Sequence, residues 1–273
     1  MQKILLAIIT LVLFLPNLFN TDLQTSLLYN GKEKFDPALS ELTSIARLEA
    51  YTDSLAATKQ IGAGSYAYAA LLGGIVENRF YHGFSHFSLS ENWIAAVAGK
   101  FLKEDYSCKV QPAEILEHTN AACSQQALVM MQVLRDKKIP YRSVGFPHHY
   151  ALEIYADKEW YFFDTNMEPV ITKDQRCLAH WNHRNDIVKK YYDPAKHNDI
   201  NYQFGNGEMA TVGVANEIPA QKAAFFHMVT GIFSKIGWLL PLLILVYKGG
   251  FNIEIPFVSL MLKKKRSLIS LPA

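Results

Sequence analysis

The chain has 273 residues, half of them apolar, and its 27 basic and 25 acidic side chains leave a formal net charge of +2. That balance excludes the basic stripe a nucleic-acid interface needs, and the length suits one soluble core with apolar sequence left over for membrane segments. Three cysteines are too few for a disulfide scaffold and are not spaced as metal knuckles, so neither a disulfide framework nor a bound metal is expected.

The chain opens with an uncharged run, Ile4 to Leu15, behind Lys3, which is the layout of a secretory n-region and h-region. The run is short of the roughly 20 residues a span requires, and no small-x-small cleavage site follows it. Residues 1–20 are therefore read as a signal peptide or an N-terminal membrane anchor, with both readings open. Residues 35–105 form a helical extension. Its first stretch, Pro37 to about Leu72, places Leu42, Ile45, Leu48 and Tyr51 at helical spacing until Gly62 and Gly64 break it. The segment ENWIAAVAGKFL is a second helical stretch, preceded by a polar and aromatic cluster with Arg79, His82 and His86 that either packs against the helices or lines a cleft.

Residues 106–200 carry the chemistry. After a loop and helical turn at Val110 to Glu117, Ala127, Met130, Met131 and Leu134 recur at helical spacing and Pro140 ends the run, so Cys123 falls in the first turn of a buried helix. There, unpaired backbone N–H groups and the positive end of the helix dipole stabilise a thiolate, and the same groups can donate to an oxyanion. Beyond Pro140 the period changes to two. Tyr150, Leu152 and Ile154 alternate with His149, Ala151 and Glu153, and WYFFD follows a turn at Ala156 to Glu159. With those four residues as the hairpin loop, Tyr155 faces Trp160, Ala151 faces Asp164, and His149 lies diagonal to Asp164, within side-chain reach. His148 points to the opposite face. If Cys123 is a working thiol, Cys108 and Cys177 remain as a disulfide, which would suit an oxidising compartment, or as two free buried thiols. Cys177, His180 and His183 are too compact a set for zinc and read as loop residues.

This segment resembles the transglutaminase-like superfamily, whose pattern this chain supplies as Cys123 and Ala127, Pro140 and Arg142, His149 and Glu153, and Trp160 and Asp164. The resemblance covers Glu114 to Glu168. It departs at Ala121 and Lys138, where glycine is usual, and at Ala151, where an aromatic is usual. It implies an α+β, papain-like core in which a nucleophile helix packs on an antiparallel sheet. It also implies that Cys123 attacks an amide carbonyl, His149 shuttles the proton and Asp164 orients the imidazole, with no cofactor. Gln125 and Trp93 are candidate oxyanion donors, and Glu153 is a candidate supporting carboxylate. The expected partners are a protein or peptide substrate and a membrane.

Toward the C-terminus, residues 225–247 are long and apolar enough to span a bilayer, with Lys235 and Pro241 as blemishes. The tail, 248–273, concentrates Lys248, Lys263, Lys264, Lys265 and Arg266, which favour the cytoplasmic side, as does Lys3. The expectation is a membrane-anchored, extracytoplasmic thiol enzyme that acts on amide or peptide bonds through a thioester. The alternative is a catalytically silent envelope scaffold that binds peptides in the same cleft.

Overall fold

A computed structural model describes residues 1–24, 28–29, 31, 34–169, 171–181, 202–205 and 210–249. The architecture is α+β: among the described residues, eight α-helices accompany one antiparallel sheet of four strands in the order β3-β2-β1-β4. The helices are α1 (Gln2–Phe14), α2 (Ile45–Thr58), α3 (Tyr66–Arg79), α4 (Leu89–Phe101), α5 (Pro112–Ile115), α6 (Cys123–Asp136), α7 (Gln221–Ile236) and α8 (Leu239–Gly249). The strands are β1 (Tyr141–Gly145), β2 (Tyr150–Ala156), β3 (Glu159–Phe163) and β4 (Thr211–Val212).

The predicted helical extension is divided more finely than its apolar spacing suggests. Pro37–Glu41 is a 3-10 turn; α2 starts at Ser44, whose hydroxyl accepts from the Arg47 amide, and α3 runs past Leu72 to Arg79. The break falls where two glycines precede α3, and Gly64 takes a φ of +83° that a side chain would resist. Helix α6 is the hub. Its residues Ala127, Met130, Met131, Val133 and Leu134 are fully buried, packed against α2, α3 and α5 on one side and against Leu152, Ile154 and Phe163 of the sheet on the other. It ends through Lys138, whose φ of +58° is the left-handed conformation that favours glycine, so the lysine there sits on a strained corner.

Alternation and turn length give the register of the β2–β3 hairpin, and the structure pairs Tyr155 with Trp160 accordingly. The loop is tighter than the four residues read from sequence. Ala156 pairs with Glu159, leaving Asp157 and Lys158 as a two-residue turn with φ of 48° and 71°, the twist that suits a right-handed hairpin. The sheet also reaches beyond residue 200, because β4 pairs with β1 at Val144–Val212 and Gly145–Thr211. Two residues are too short to show an alternation, so nothing local announces this strand.

The C-terminal apolar region is one stretch, Gln221–Lys248, long and apolar enough to cross a membrane, interrupted at Gly237–Trp238. Its first half is two-faced. His227, Thr230 and Ser234 are buried, whereas Phe225, Met228, Ile232, Phe233 and Ile236 are exposed. The buried face meets α4 at Asn92, a residue with non-helical backbone (φ −154°, ψ 80°). The Asn92 amide donates to Thr230 Oγ1 (2.9 Å) and the His227 carbonyl (3.2 Å) and accepts from Ser234 Oγ (3.0 Å). Lys235 reaches back to the Ser90 carbonyl, which gives the mid-stretch charge a partner outside the helix. The tail beyond residue 249 lies outside the described residues.

Candidate active site

The site forms at one end of the sheet, where β1 stops, β2 starts and β3 stops. His149 precedes β2 by one residue and closes the β1–β2 loop through its carbonyl, which accepts from the Phe146 amide (2.8 Å). Asp164 follows β3 by one residue. The diagonal between them is bridged by a hydrogen bond of 2.5 Å from His149 Nε2 to Asp164 Oδ2. Both side chains are at most 1% exposed.

Cys123 is the first residue of α6, half-buried, and its side chain lies near enough to the His149 imidazole to favour the imidazolium. Because Nε2 is occupied by Asp164, Nδ1 is the nitrogen left to exchange a proton with the thiol. The first α-helical bond runs from the Gln126 amide to the Ala122 carbonyl (2.9 Å), so the amides of Cys123, Ser124 and Gln125 have no intrahelical acceptor and face the helix entrance.

The electrostatics of the pair follow from burial against charge. Burial disfavours the imidazolium, but the Asp164 carboxylate and the Cys123 side chain outweigh it and raise the His149 pKa to about 10. Burial likewise works against the Asp164 carboxylate, yet His149 and the amides of Met167 and Asn166 hold its pKa below the usual carboxylate range. Those two amides donate to Asp164 Oδ1 at 3.0 Å each, so the oxygens divide the work: Oδ1 secures the loop and Oδ2 the imidazole.

The other sequence candidates sit differently. Gln125 is a correction, because its side chain is wholly engaged in structure. Oε1 accepts from the amides of Ser85 (2.9 Å) and Ala122 (3.1 Å), while Nε2 donates to the carbonyls of Ser85 (2.9 Å) and Lys109 (2.8 Å). No donor is left for an oxyanion, and the residue fixes the turn that leads into Cys123. Trp93 is half-buried on α4, a helix packed on α7 and on the 3-10 turn Leu15–Leu18. Glu153, 1% exposed, lies opposite Arg142 on β1 and receives its guanidinium at 2.6 Å, which in turn stacks 4.2 Å from the Trp160 ring. Burial pushes the Glu153 carboxyl up against the pull of Arg142. This is a brace across the sheet rather than a group beside Cys123.

His148 stacks on Tyr202 with ring centres 4.0 Å apart, while Phe204 packs 4.8 Å from His149 and covers the imidazole. All three cysteines are free, so no disulfide joins Cys108 to Cys177. Burial pushes the Cys108 thiol to about 12, which leaves it inert. Arg79 is buried and donates to the carbonyls of Leu116 and His118, and His86 meets Ser107 Oγ at 2.9 Å, so both hold loops together. His82 is half-buried. Cys177 precedes and His180 ends the 3-10 turn Leu178–His180, and His183 lies outside the described residues. Among the described residues no three His, Cys, Asp or Glu side chains gather as metal ligands.

Two cavities flank α6. One of about 170 Å³ opens beside Ser124, Gln125 and Tyr150, the sequence neighbours of Cys123 and His149. The larger, of about 400 Å³, lies farther along the helix at Met131, Arg135 and Gln221, and neither cavity is lined by Cys123, His149 or Asp164. Sequence reasoning missed Glu168, Arg176 and Phe204. An acidic residue four positions after Asp164 is a local signal for the first, whereas Phe204 reaches the site only through tertiary packing.

No protein-family model matches the chain, and no curated protein matches it. Among solved structures, one described as "Crystal structure of a TGase" matches at 16% identity with a TM-score of 0.32, covering 47% of this chain and 31% of that one. The chain thus spans about a third of the length of the structure it matches.

Proposed function

We propose that this chain is a membrane-anchored, transglutaminase-like thiol enzyme that acts on amide or peptide bonds through a thioester at Cys123. The observation that carries the reading is the meeting of three groups: a half-buried sulfur at a helix N-terminus, an imidazole within its reach, and a carboxylate 2.5 Å from that imidazole's far nitrogen.

In the proposed reaction the imidazolium form of His149, favoured at neutral pH beside Asp164, pairs with the Cys123 thiolate. The sulfur attacks the amide carbonyl carbon, and the carbonyl oxygen becomes an oxyanion that the Cys123 amide at the head of α6 can receive. As the C–N bond breaks, His149 gives its proton to the leaving amine and a thioester remains. Water or a second amine then attacks the thioester, passing a proton to His149 and releasing the thiolate. Water yields an amidase or peptidase; an amine yields an acyltransferase. The acceptor depends on the shape and dryness of the cleft rather than on the three catalytic groups. Incubation with a labelled amine and, separately, with peptide libraries tests the reading against Cys123→Ala.

The anchor is proposed to involve both ends of the chain. Besides the stretch Gln221–Lys248, α1 packs along α8, with Lys248 Nζ donating to Gln2 Oε1 (3.2 Å); at the junction before α8 Phe14 and Trp238 stack edge-on at 5.1 Å, and Asn17 of the 3-10 turn Leu15–Leu18 donates through Nδ2 to the Ser234 carbonyl of α7 (2.9 Å). Exposed apolar side chains, including Ile8, Val12, Leu240 and Leu243, cover the outside of this helix pair. A segment removed by a signal peptidase would take with it a packed neighbour of the C-terminal helix, so α1 is assigned as a retained anchor. The extracytoplasmic side is proposed for the soluble part because the Lys3 and Lys248 charges favour the cytoplasmic side for the ends of the helix pair. Intact-mass measurement of the purified membrane form is expected to find residues 1–20 present; a mature chain beginning beyond Asn20 contradicts the assignment.

A further inference from the structure

Asp164 is held from behind by a second carboxylate. Glu168 Oε2 accepts from the Asp164 backbone amide at 2.8 Å, and Glu168 Oε1 pairs with Arg176 Nη1 at 2.5 Å. Arg176, 7% exposed, also donates through Nη1 to the Phe162 carbonyl (2.9 Å), and its own carbonyl accepts from the Phe162 amide (2.9 Å). The Glu168 amide is held in turn by Glu77 Oε1 on α3 at 3.3 Å, and Lys34 meets Glu77 at 3.2 Å. The clamp thus grips the last turn of chain before and after Asp164 and ties it to α3.

We propose, resting on the thioester reading above, that Glu168 is a positioning residue: by reaching the Asp164 amide it fixes the angle at which the Asp164 carboxylate meets His149. Two features argue that this is more than loop packing. The side chain is engaged at both oxygens, Oε2 on the Asp164 amide and Oε1 on Arg176, so its length sets where the Asp164 backbone sits. Burial pushes the Glu168 carboxyl up, to about 7, against the pull of Arg176 and of the Asp164 amide, with Tyr66 and Glu77 of α3 as the other titratable neighbours. Moreover, the contact is made to the backbone of the catalytic carboxylate itself, where a shift of about 1 Å propagates directly to the imidazole and costs on the order of 100-fold in rate.

Reach and charge separate by substitution in the full-length, detergent-solubilised protein. Glu168→Gln keeps the length and an acceptor oxygen but loses the charge; Glu168→Asp keeps the charge but is one methylene too short. The readouts are the proton resonance of His149 Nε2–H in histidine-labelled protein and the rate of Cys123 alkylation by iodoacetamide. Glu168→Asp is expected to shift or broaden the resonance and to slow alkylation about 10-fold or more, while Glu168→Gln stays within about 3-fold of wild type. A wild-type resonance and rate in Glu168→Asp overturn the proposal, as does equal impairment of the two variants. Should Glu168→Asp not fold, a displaced resonance in folded Glu168→Gln overturns it and a wild-type resonance there supports it. Neither readout needs a substrate, so the absence of acyl transfer in the wild type would count against the proposed function and leave this comparison readable.

Discussion

Cys123→Ala is expected to lower acyl transfer by about 10⁴-fold or more, for both amine incorporation and peptide cleavage, while the protein stays folded. The large factor follows from the absence of a substitute. Cys108 is buried, with its thiol pushed to about 12, and Cys177 is buried as well, so neither can take over the attack. Folding should survive because Cys123 is half-buried at the first position of α6, where removing one sulfur opens no sealed cavity and disturbs none of the four hydrogen bonds of Gln125 that fix the helix entrance. Mass spectrometry of quenched reactions should also find an acyl adduct on the peptide containing Cys123 in wild type. Equal turnover of wild type and variant across the amine and peptide series would remove the thioester from consideration and favour the scaffold reading.

Asp164→Asn should be damaging in two separable ways. Activity is expected to fall by about 10³- to 10⁴-fold, because an amide at this position no longer supports the positive imidazole or selects its tautomer. Stability should fall by about 3 kcal/mol near pH 6, the order expected when one partner of a buried pair loses its charge. The pH dependence has a definite sign. The raised pKa of His149 supplies stability that is complete below its unfolded value of about 6.5 and is lost as pH rises through about 10. The lowered pKa of Asp164 supplies stability present above its ordinary 3.8 and lost as pH falls through its folded value. The advantage of wild type over Asp164→Asn should therefore be greatest between about pH 4 and 6.5 and shrink toward pH 10. Denaturant midpoints measured across this range check it, and a difference that grows with alkalinity would contradict it.

Much of this site is legible in the sequence because its parts are local. Helical spacing of Ala127, Met130, Met131 and Leu134 locates the start of α6, and period-two alternation with a short turn sets Tyr155 against Trp160, which brings His149 and Asp164 to the same end of the sheet. The strand-end placement is also why the pair can bond although neither residue lies within a strand. What is not legible depends on contacts between distant parts of the chain. Gln125 looks like a free polar side chain at a helix start until Ser85 and Lys109 are seen to consume it. The polar stripe His227, Thr230 and Ser234 looks like a flaw in a membrane span until Asn92 meets it from more than 130 residues away. Strand β4, two residues long, carries no period at all. Lys138 is a further case: its backbone takes the left-handed conformation that favours glycine, and no local signal around the lysine announces it.

The central claim is that the His149 imidazole activates the Cys123 sulfur, and the rate of Cys123 alkylation by iodoacetamide at pH 7, followed on the isolated peptide in wild type and His149→Ala, tests it without knowledge of the substrate. Wild type should react at least about 10-fold faster than the variant, since removing the imidazole withdraws the group that takes up the thiol proton. Equal rates in two folded proteins would mean that sulfur and imidazole do not act together, and the account would fail at its base.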